Sequence, residues 1–284
     1  MPCSLTIHHI MKLKQSLLLA AGLALFANPA KAAFTFTNGD LILGFQATGG
    51  QGSNQNVFFN LGSGTDLRDG GISGNIGNIN TTMSLVFGNN WSDRTDLYFG
   101  VVGNLNYAPT SGIGSASPVD GDPSRTFYVS RAADSAGNSV LWTGFTTNAL
   151  GTAGSSLQGM ESMILGLNTE ADGTAILNQS TQPTAWSNGW TTFNPTPGSS
   201  FNTFGGGIQQ AFGATDNAYL DIQRILATNT GAVPTGTVGT GSVVGTLIIG
   251  DNGSLTMVPE PSSALLAASA CGLIAFRRRR SHNA

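Results

Sequence analysis

The amino-acid sequence predicts an all-β protein, an antiparallel β-sandwich (jelly-roll-like) with one or two short helices. Three features support this class. Short apolar or alternating runs recur along residues 33–258, glycine is frequent (39 of 284 residues), and charged residues make up only 10% of the chain. Gly, Asn, Ser and Thr separate the runs, as expected for many strands joined by short connections.

Nine segments have the length and apolar pattern of strands. Asn38-Gly39 separates the first two, and Asp251-Asn252-Gly253 separates the last two, which are strong signals for hairpin turns. Tyr219–Leu226 alternates as well, and we favour a strand over a short helix there. The predicted strands are Phe34–Thr37, Asp40–Ala47, Asn56–Leu61, Asp96–Val102, Thr126–Ser130, Val140–Phe145, Ala218–Leu226, Ser242–Ile249 and Ser254–Val258.

Two short helices are predicted between the strands. Asn80, Thr81 or Thr82 could cap a run that continues to Phe87, and Gly88 would end it. Residues 208–214 are predicted to form the second helix. The sequence indicates no long amphipathic helix. It also shows no repeat of roughly 20 to 50 residues, so we predict one domain rather than a solenoid or a propeller.

The N-terminus has the three parts of a secretory signal peptide. Lys12 and Lys14 precede an apolar run over residues 17–26, and Ala30-Lys31-Ala32 provides the small-residue pattern for cleavage before Ala33. An N-terminal signal helix and a C-terminal hydrophobic helix are therefore expected to flank the domain. The predicted boundaries are 1–32 for the signal peptide, 33–255 for a β-rich extracellular domain and 256–284 for a C-terminal segment.

Removal of both ends limits the chemistry of the remaining body. All lysines, histidines and cysteines lie outside residues 33–258, which keep five arginines and 14 acidic residues, a formal charge of −9. Catalysis by a nucleophile and a histidine, zinc or copper sites, Schiff bases and disulfides are excluded for this body. We expect no cofactor. The negative charge is also unsuited to binding nucleic acid or an anionic membrane surface.

Carboxylates are the remaining groups that could support catalysis. Glycoside hydrolysis needs only two, and Glu161 and Glu170 are the only glutamates of the body. Most aspartates lie among Gly, Asn, Ser and Thr, where Asp commonly bonds the local backbone in turns and caps. We therefore assign no catalytic residue and predict that the chain is not an enzyme.

Asp120 and Asp122 are candidates for calcium ligands, because they lie close together in a segment rich in Gly, Pro and Ser. Hard cations take oxygen ligands from such loops. The spacing does not match an EF-hand loop, and solvated turn residues are the ordinary interpretation.

Tryptophans are the other candidates for binding. Trp186 and Trp190 lie four positions apart in a segment with Ser, Asn and Gly that has the composition of a surface loop. If exposed, the pair could stack on sugar rings. The alternative is packing in the core, which is the more common role of large aromatic side chains.

The C-terminal segment contains three features in a fixed order. A Pro-Glu-Pro triplet (Pro259, Glu260 and Pro261) is followed by an uncharged apolar stretch over residues 264–276. This stretch is shorter than the roughly 20 residues that cross a bilayer, but flanking serines and arginine stems extend it. The four arginines that follow resist translocation and keep the extreme C-terminus cytoplasmic. These are Arg277, Arg278, Arg279 and Arg280.

This order of features resembles the PEP-CTERM sorting signal, and the resemblance covers residues 258–280. It implies an exported protein of a Gram-negative bacterium that makes exopolysaccharide. It also implies cleavage near the triplet by an exosortase, a membrane enzyme. The inner membrane would then hold the chain only transiently, and the body would reach the cell surface or the medium. A plain C-terminal membrane anchor is the simpler alternative.

Together these features predict an exported, non-catalytic surface or extracellular-matrix protein that is processed by signal peptidase and an exosortase. An exopolysaccharide-binding module is the alternative, and an exposed, coplanar Trp186/Trp190 platform would favour it. A glycoside hydrolase is the third hypothesis. It would need two carboxyl groups that face each other across a cleft, roughly 5 to 9.5 Å apart.

Overall fold

The computed structural model describes residues 33–105, 122, 125–193, 204, 207–213, 217–226 and 241–260. Within these ranges the protein is mostly β, with ten strands whose pairings are all antiparallel. The predicted all-β antiparallel class is confirmed. The strands are β1 (Asp40–Ala47), β2 (Gln55–Ser63), β3 (Gly74–Asn78), β4 (Leu97–Asn104), β5 (Phe127–Ala133), β6 (Thr174–Asn178), β7 (Gln209–Ala211), β8 (Asn217–Ile225), β9 (Ser242–Gly250) and β10 (Ser254–Pro259).

The ten strands belong to one hydrogen-bonded sheet that curls on itself. Its order is β3-β10-β9-β8-β5-β4-β1-β2-β6, and β7 pairs with β4 beside this path. The two ends of the sheet approach each other, since a Cβ atom on Gly77 of β3 would lie 3.0 Å from the Phe59 ring of β2. The curl therefore brings two halves of the sheet face to face, as in a sandwich, while hydrogen bonds continue between them.

Around β1, both faces of the curled sheet are buried against apolar side chains. On the inner face, Leu43 and Phe45 of β1 share a core with Leu220 of β8 and Leu247 of β9. On the outer face, Ile42 of β1 belongs to a second core. All eight residues of β1 are buried. Successive side chains of β1 therefore point alternately into two cores, and neither face of this strand is exposed to solvent.

Five helices and one 3-10 turn lie within the described ranges. The helix predicted to end before Gly88 is confirmed, and Gly88 caps it by donating its N–H to the carbonyl oxygen of Ser84. The helices are α1 (Gly64–Arg68), α2 (Asn80–Phe87), α3 (Thr147–Ile164), α4 (Pro183–Trp186) and α5 (Trp190–Phe193), and the 3-10 turn is Trp91–Asp93.

The 18-residue helix α3 contradicts the prediction that the chain has no long helix. Its sequence contains three glycines and several Ser and Thr residues, a composition of low helix propensity. Thr146 caps it, because the side chain of Thr146 accepts the N–H of Ala149 at 3.2 Å. Packing on the sheet supplies most of the stability of such a helix. Its side chains in the outer core include Leu150, Leu157 and Met160.

Three other predicted elements are wrong. Residues 208–214 contain the short strand β7 instead of a helix, and Phe34–Thr37 forms no strand. Val140–Phe145 crosses the outer face as an irregular segment, in which Trp142 donates its N–H to the side chain of Gln223 at 2.8 Å. An apolar or alternating pattern does not distinguish a paired strand from a segment that side chains hold in place.

The last predicted hairpin is confirmed. Asp251-Asn252-Gly253 joins β9 to β10, and Gly253 has φ 78°, a value that favours glycine. Asn38-Gly39 also turns, with the N–H of Asp40 donating to the carbonyl oxygen of Thr37 at 3.0 Å, but no strand precedes it. Strands β3 and β6 were not predicted. The predicted signal helix and C-terminal helix lie outside the described residues.

Candidate functional site

Two arginines and a tyrosine converge on one buried carboxylate beside the inner core. Asp122 is 0% exposed, and its Oδ1 accepts from Arg68 Nη1 at 2.8 Å and from Arg224 Nε at 2.7 Å. The Tyr128 hydroxyl donates to its other oxygen. Tyr128 of β5 and Arg224 of β8 are direct cross-strand partners, and Arg68 is the last residue of α1. We refer to these four residues as the Asp122 cluster.

The electrostatics of the Asp122 cluster fix its protonation states. A hydrogen bond to Asp69 raises the pKa of Arg68; burial lowers it, and the charge of Asp122 raises it further. Burial also raises the pKa of Tyr128, and the nearby charge of Asp122 adds to this. At neutral pH the guanidinium is therefore charged, and the phenol keeps the proton that it donates to Asp122. These groups stabilise one another and link α1, β5 and β8.

The structure does not favour Asp122 as a calcium ligand, and it corrects the interpretation of Asp122 as a solvated turn residue, because the side chain is buried. Its carboxylate already has two cationic partners, Arg68 and Arg224, whose charges would repel a divalent cation. Asp120 lies outside the described residues. Among the residues that the structure describes, no three His, Cys, Asp or Glu side chains are placed so that they could hold a metal ion.

The predicted sugar-stacking pair is not available on the surface. Trp190 is 0% exposed, and its indole N–H donates to Gln209 Oε1 at 3.1 Å. Its ring lies over Gly44 of β1 and Gly100 of β4, which are direct cross-strand partners. A Cβ atom on Gly44 would lie 2.2 Å from the ring. Trp186 is partly buried against the same core. Trp190 is therefore a core residue, in a slot that the two glycines leave open.

One carboxyl group has an unusual environment. Burial, followed by the charge of Asp40, raises the pKa of Glu161 to about 7. One of its carboxyl oxygens is buried and has no hydrogen-bond partner among the residues that the structure describes. Asp40 is held by three hydrogen bonds to its Oδ2, two from Thr37 at 2.8 and 2.9 Å and one from Asn60 at 2.8 Å. A carboxyl that is partly protonated at neutral pH can donate a hydrogen bond or a proton.

One of the residues that line a groove of about 370 Å³ is Asn60, which donates a hydrogen bond to Asp40. Asn60 lines the groove, and its amide also donates to the carbonyl oxygen of Thr35 at 2.9 Å. The described residues that line the groove include neither Asp40 nor Glu161. The geometry that hydrolysis requires, two carboxyl groups facing a bound sugar, is therefore not formed by these lining residues.

Two further aspartates accept hydrogen bonds from backbone N–H groups that are distant in the sequence. Asp172, next to β6, accepts the N–H of Thr82 in the first turn of α2 at 3.0 Å. No side chain within that helix caps it, so the predicted cap at Asn80, Thr81 or Thr82 is wrong. Asp221 of β8 is buried and accepts the N–H groups of Gly137 and Ser139, both at 2.8 Å. Asp172 also accepts the N–H of Thr174 at 3.3 Å, which is the local bonding predicted for aspartates in such a context. The bonds of Asp172 to Thr82 and of Asp221 to Gly137 and Ser139 join segments that are distant in the sequence, and these were not predicted.

The predicted processing sites lie at the ends of the described residues. Pro259 is the last residue of β10, and Glu260, which is exposed, donates its N–H to the carbonyl oxygen of Val244 at 3.2 Å. Ala33 forms an isolated bridge with Asn168. The other predicted processing residues lie outside the described residues, namely Ala30, Ala32, Pro261, Arg277, Arg278, Arg279 and Arg280.

Comparisons with family models, with curated proteins and with solved structures found no match to this chain. None of the helices in the described ranges has the length and apolar character that a membrane span requires.

Sequence reasoning missed both the Trp190 slot and the environment of Glu161. The slot had a signal, because Gly44 and Gly100 interrupt two apolar strands, and a glycine inside a strand often marks a close approach. Glu161 and Asp40 are distant in the sequence, and only the packing of α3 on the sheet brings their charges together.

Proposed function

We propose that this chain is an exported, non-catalytic surface or extracellular-matrix protein whose C-terminal segment is a PEP-CTERM sorting signal. Signal peptidase and an exosortase are its processing partners. The inner membrane holds it only until processing, and the body is then delivered to the cell surface or the medium. Exopolysaccharide binding stays a prediction from the sequence. The Trp186/Trp190 platform no longer supports it, because Trp190 is buried.

The observation that supports this proposal most directly is the position of the triplet. Pro259 ends the last strand of the folded body, and the apolar stretch and the arginines follow within the next 21 residues. The triplet therefore begins within the last strand, and the other features follow the folded body directly, in the order that the proposal requires. Glu260 is exposed at this end, where a processing enzyme can reach it.

Intact-mass analysis of the exported protein tests the proposal. In cells with an exosortase, we expect a product that begins at Ala33 and ends near Glu260, with any attached group visible as added mass. Replacing Pro259, Glu260 and Pro261 by alanine should leave the four arginines on the product. Alanine at Ser262 and Ser263 is the matched control and should permit cleavage. An arginine-bearing final product in cells that process other substrates contradicts the proposal.

A further inference from the structure

Three exposed apolar side chains lie near the C-terminal end of β10. Val140 is 70% exposed, Leu141 is 46% exposed and Val258 is 39% exposed. Val258, Thr246 and Asp221 lie in one row across the outer face, because Val258 of β10 pairs with Thr246 of β9 and Thr246 pairs with Asp221 of β8. We refer to Val140, Leu141 and Val258 as the apolar patch.

Buried side chains of β8 hold the segment with Val140 and Leu141 on this face. Asp221 accepts the N–H groups of Gly137 and Ser139, and Gln223 donates its amide to the carbonyl oxygen of Val140 at 3.0 Å. These hydrogen bonds oppose collapse of the segment into the core. The fold therefore fixes the exposure of the two side chains.

The chain leaves the sheet beside the apolar patch. Pro259 pairs with Gly245, and a Cβ atom on Gly137 would lie 2.7 Å from the carboxylate of Glu260. The uncharged apolar stretch begins at Ala264, so three residues separate it from Glu260. A fully extended connection of this length reaches at most about 14 Å.

We propose that, before processing, the apolar patch rests on the lipid surface of the membrane that holds residues 264–276. This inference rests on the proposed function, which assigns that stretch to the bilayer. The short connection keeps the end of β10 within about 14 Å of the membrane interface, and the patch is next to that end. Apolar side chains that leave water for lipid gain free energy, whereas the formal charge of −9 on the body provides no attraction to anionic lipids.

A lipid-contact experiment on the full chain tests this inference. With Cys3 and Cys271 replaced by serine, a single cysteine is introduced as Leu141→Cys and labelled with a polarity-sensitive fluorophore. Leu85→Cys, on α2 at a position that is 68% exposed, is the matched control. Both variants are reconstituted into phosphatidylcholine vesicles and flotation is measured. Fluorescence is then quenched either by aqueous iodide or by brominated lipid.

We expect the label at position 141 to be quenched by brominated lipid and to be protected from iodide by about twofold or more relative to position 85. High salt should not reverse this, because the contact is apolar. If the chain floats with the vesicles and both labels are equally open to iodide, the membrane contact of the patch is refuted while the anchor remains. If the chain does not float at all, the assignment of residues 264–276 to the bilayer fails, and the inference fails with it.

Discussion

At the scale of single residues, buried carboxylates organise the polar interior of this protein. Asp122 neutralises two arginines, Asp221 clamps a loop, and Asp172 caps a helix. None of these aspartates is a free group in a cleft. A buried polar group that has lost its water must find partners inside the protein, and each of these carboxylates does so.

Asp122→Asn is predicted to destabilise the fold strongly. The asparagine keeps the shape of the side chain but leaves Arg68 and Arg224 without their shared counter-charge, so the free energy of unfolding should fall by about 3–5 kcal/mol. Asp69→Asn is the matched control, because Asp69 bonds Arg68 from a side chain that is 61% exposed, and it should cost less than about 1 kcal/mol. Urea unfolding measures both changes. Equal losses would contradict the role given to the Asp122 cluster.

Glu161→Gln is predicted to change the pH dependence of stability. The pKa of Glu161 is raised from 4.5 to about 7 in the folded protein, so the folded state binds more protons than the unfolded state between these values. Its contribution to stability is therefore lost as pH rises through this range. Because the side chain is only partly buried, the loss should be about 1–2 kcal/mol.

Urea unfolding between about pH 4 and pH 8 measures this effect. Glu161→Gln should be more stable than the wild type at the upper end of this range, and the difference should disappear at the lower end. Gln158→Ala, at an exposed position of the same helix, removes no ionisable group and should keep the wild-type slope. An unchanged slope for Glu161→Gln would show that burial does not disturb this carboxyl.

At the scale of secondary-structure elements, the slot for Trp190 shows how three strands and a short helix fit together. Gly44 and Gly100 are paired on β1 and β4, and the indole at the start of α5 lies over both. Its N–H donates to Gln209 of β7, so one side chain joins four elements of the outer face. The absence of two Cβ atoms is what permits this contact.

Gly44→Ala is predicted to lower the free energy of unfolding by about 1–3 kcal/mol, because the new methyl group would lie 2.2 Å from the Trp190 ring. Thermal or urea unfolding measures the loss. Gly213→Ala is the matched control, since its Cβ would meet no atom within 4 Å. In a Trp190→Ala background, the cost of Gly44→Ala should largely vanish. A cost that is the same in both backgrounds would rule out the ring as its cause.

At the scale of the whole molecule, two ends of one sheet are tied together. Thr82 lies in α2, the helix that follows β3 at one end of the strand order. Thr174 is the first residue of β6 at the other end, and Asp172 precedes it by two positions. The Asp172 carboxylate accepts the N–H and the hydroxyl of Thr82 at 3.0 and 2.9 Å and the hydroxyl of Thr174 at 2.7 Å. These bonds connect the two end strands without a backbone ladder between them.

Asp172→Ala is predicted to open this connection. The loss of the cap and of the hydrogen bonds to the two threonines should cost about 2 kcal/mol in the free energy of unfolding, and the Thr82 amide should lose protection from hydrogen exchange. Asp134→Ala, at an exposed bend, should alter neither quantity. If the Thr82 amide exchanges at the same rate in Asp172→Ala and in the wild type, Asp172 does not close the curl.

The fold class could be predicted from the sequence because strands such as β8, β9 and β10 carry apolar side chains at strand spacing and are bounded by turn residues. Helix α3 could not be predicted, since its Gly, Ser and Thr content favours coil until packing on the outer core stabilises it. Strand β3 has a single apolar residue, Ile76, and forms as the partner of β10. The environment of Glu161 depends on contacts that no local pattern contains.

The position of β10 in the strand order determines how the domain would respond to a mechanical load. This strand lies between β3 and β9, with ladders on both sides, although it is the last element before the C-terminal segment. A pull at Glu260 in the direction of β10 would act on both ladders at once. Such shear loads many hydrogen bonds together, whereas peeling an edge strand breaks them one after another.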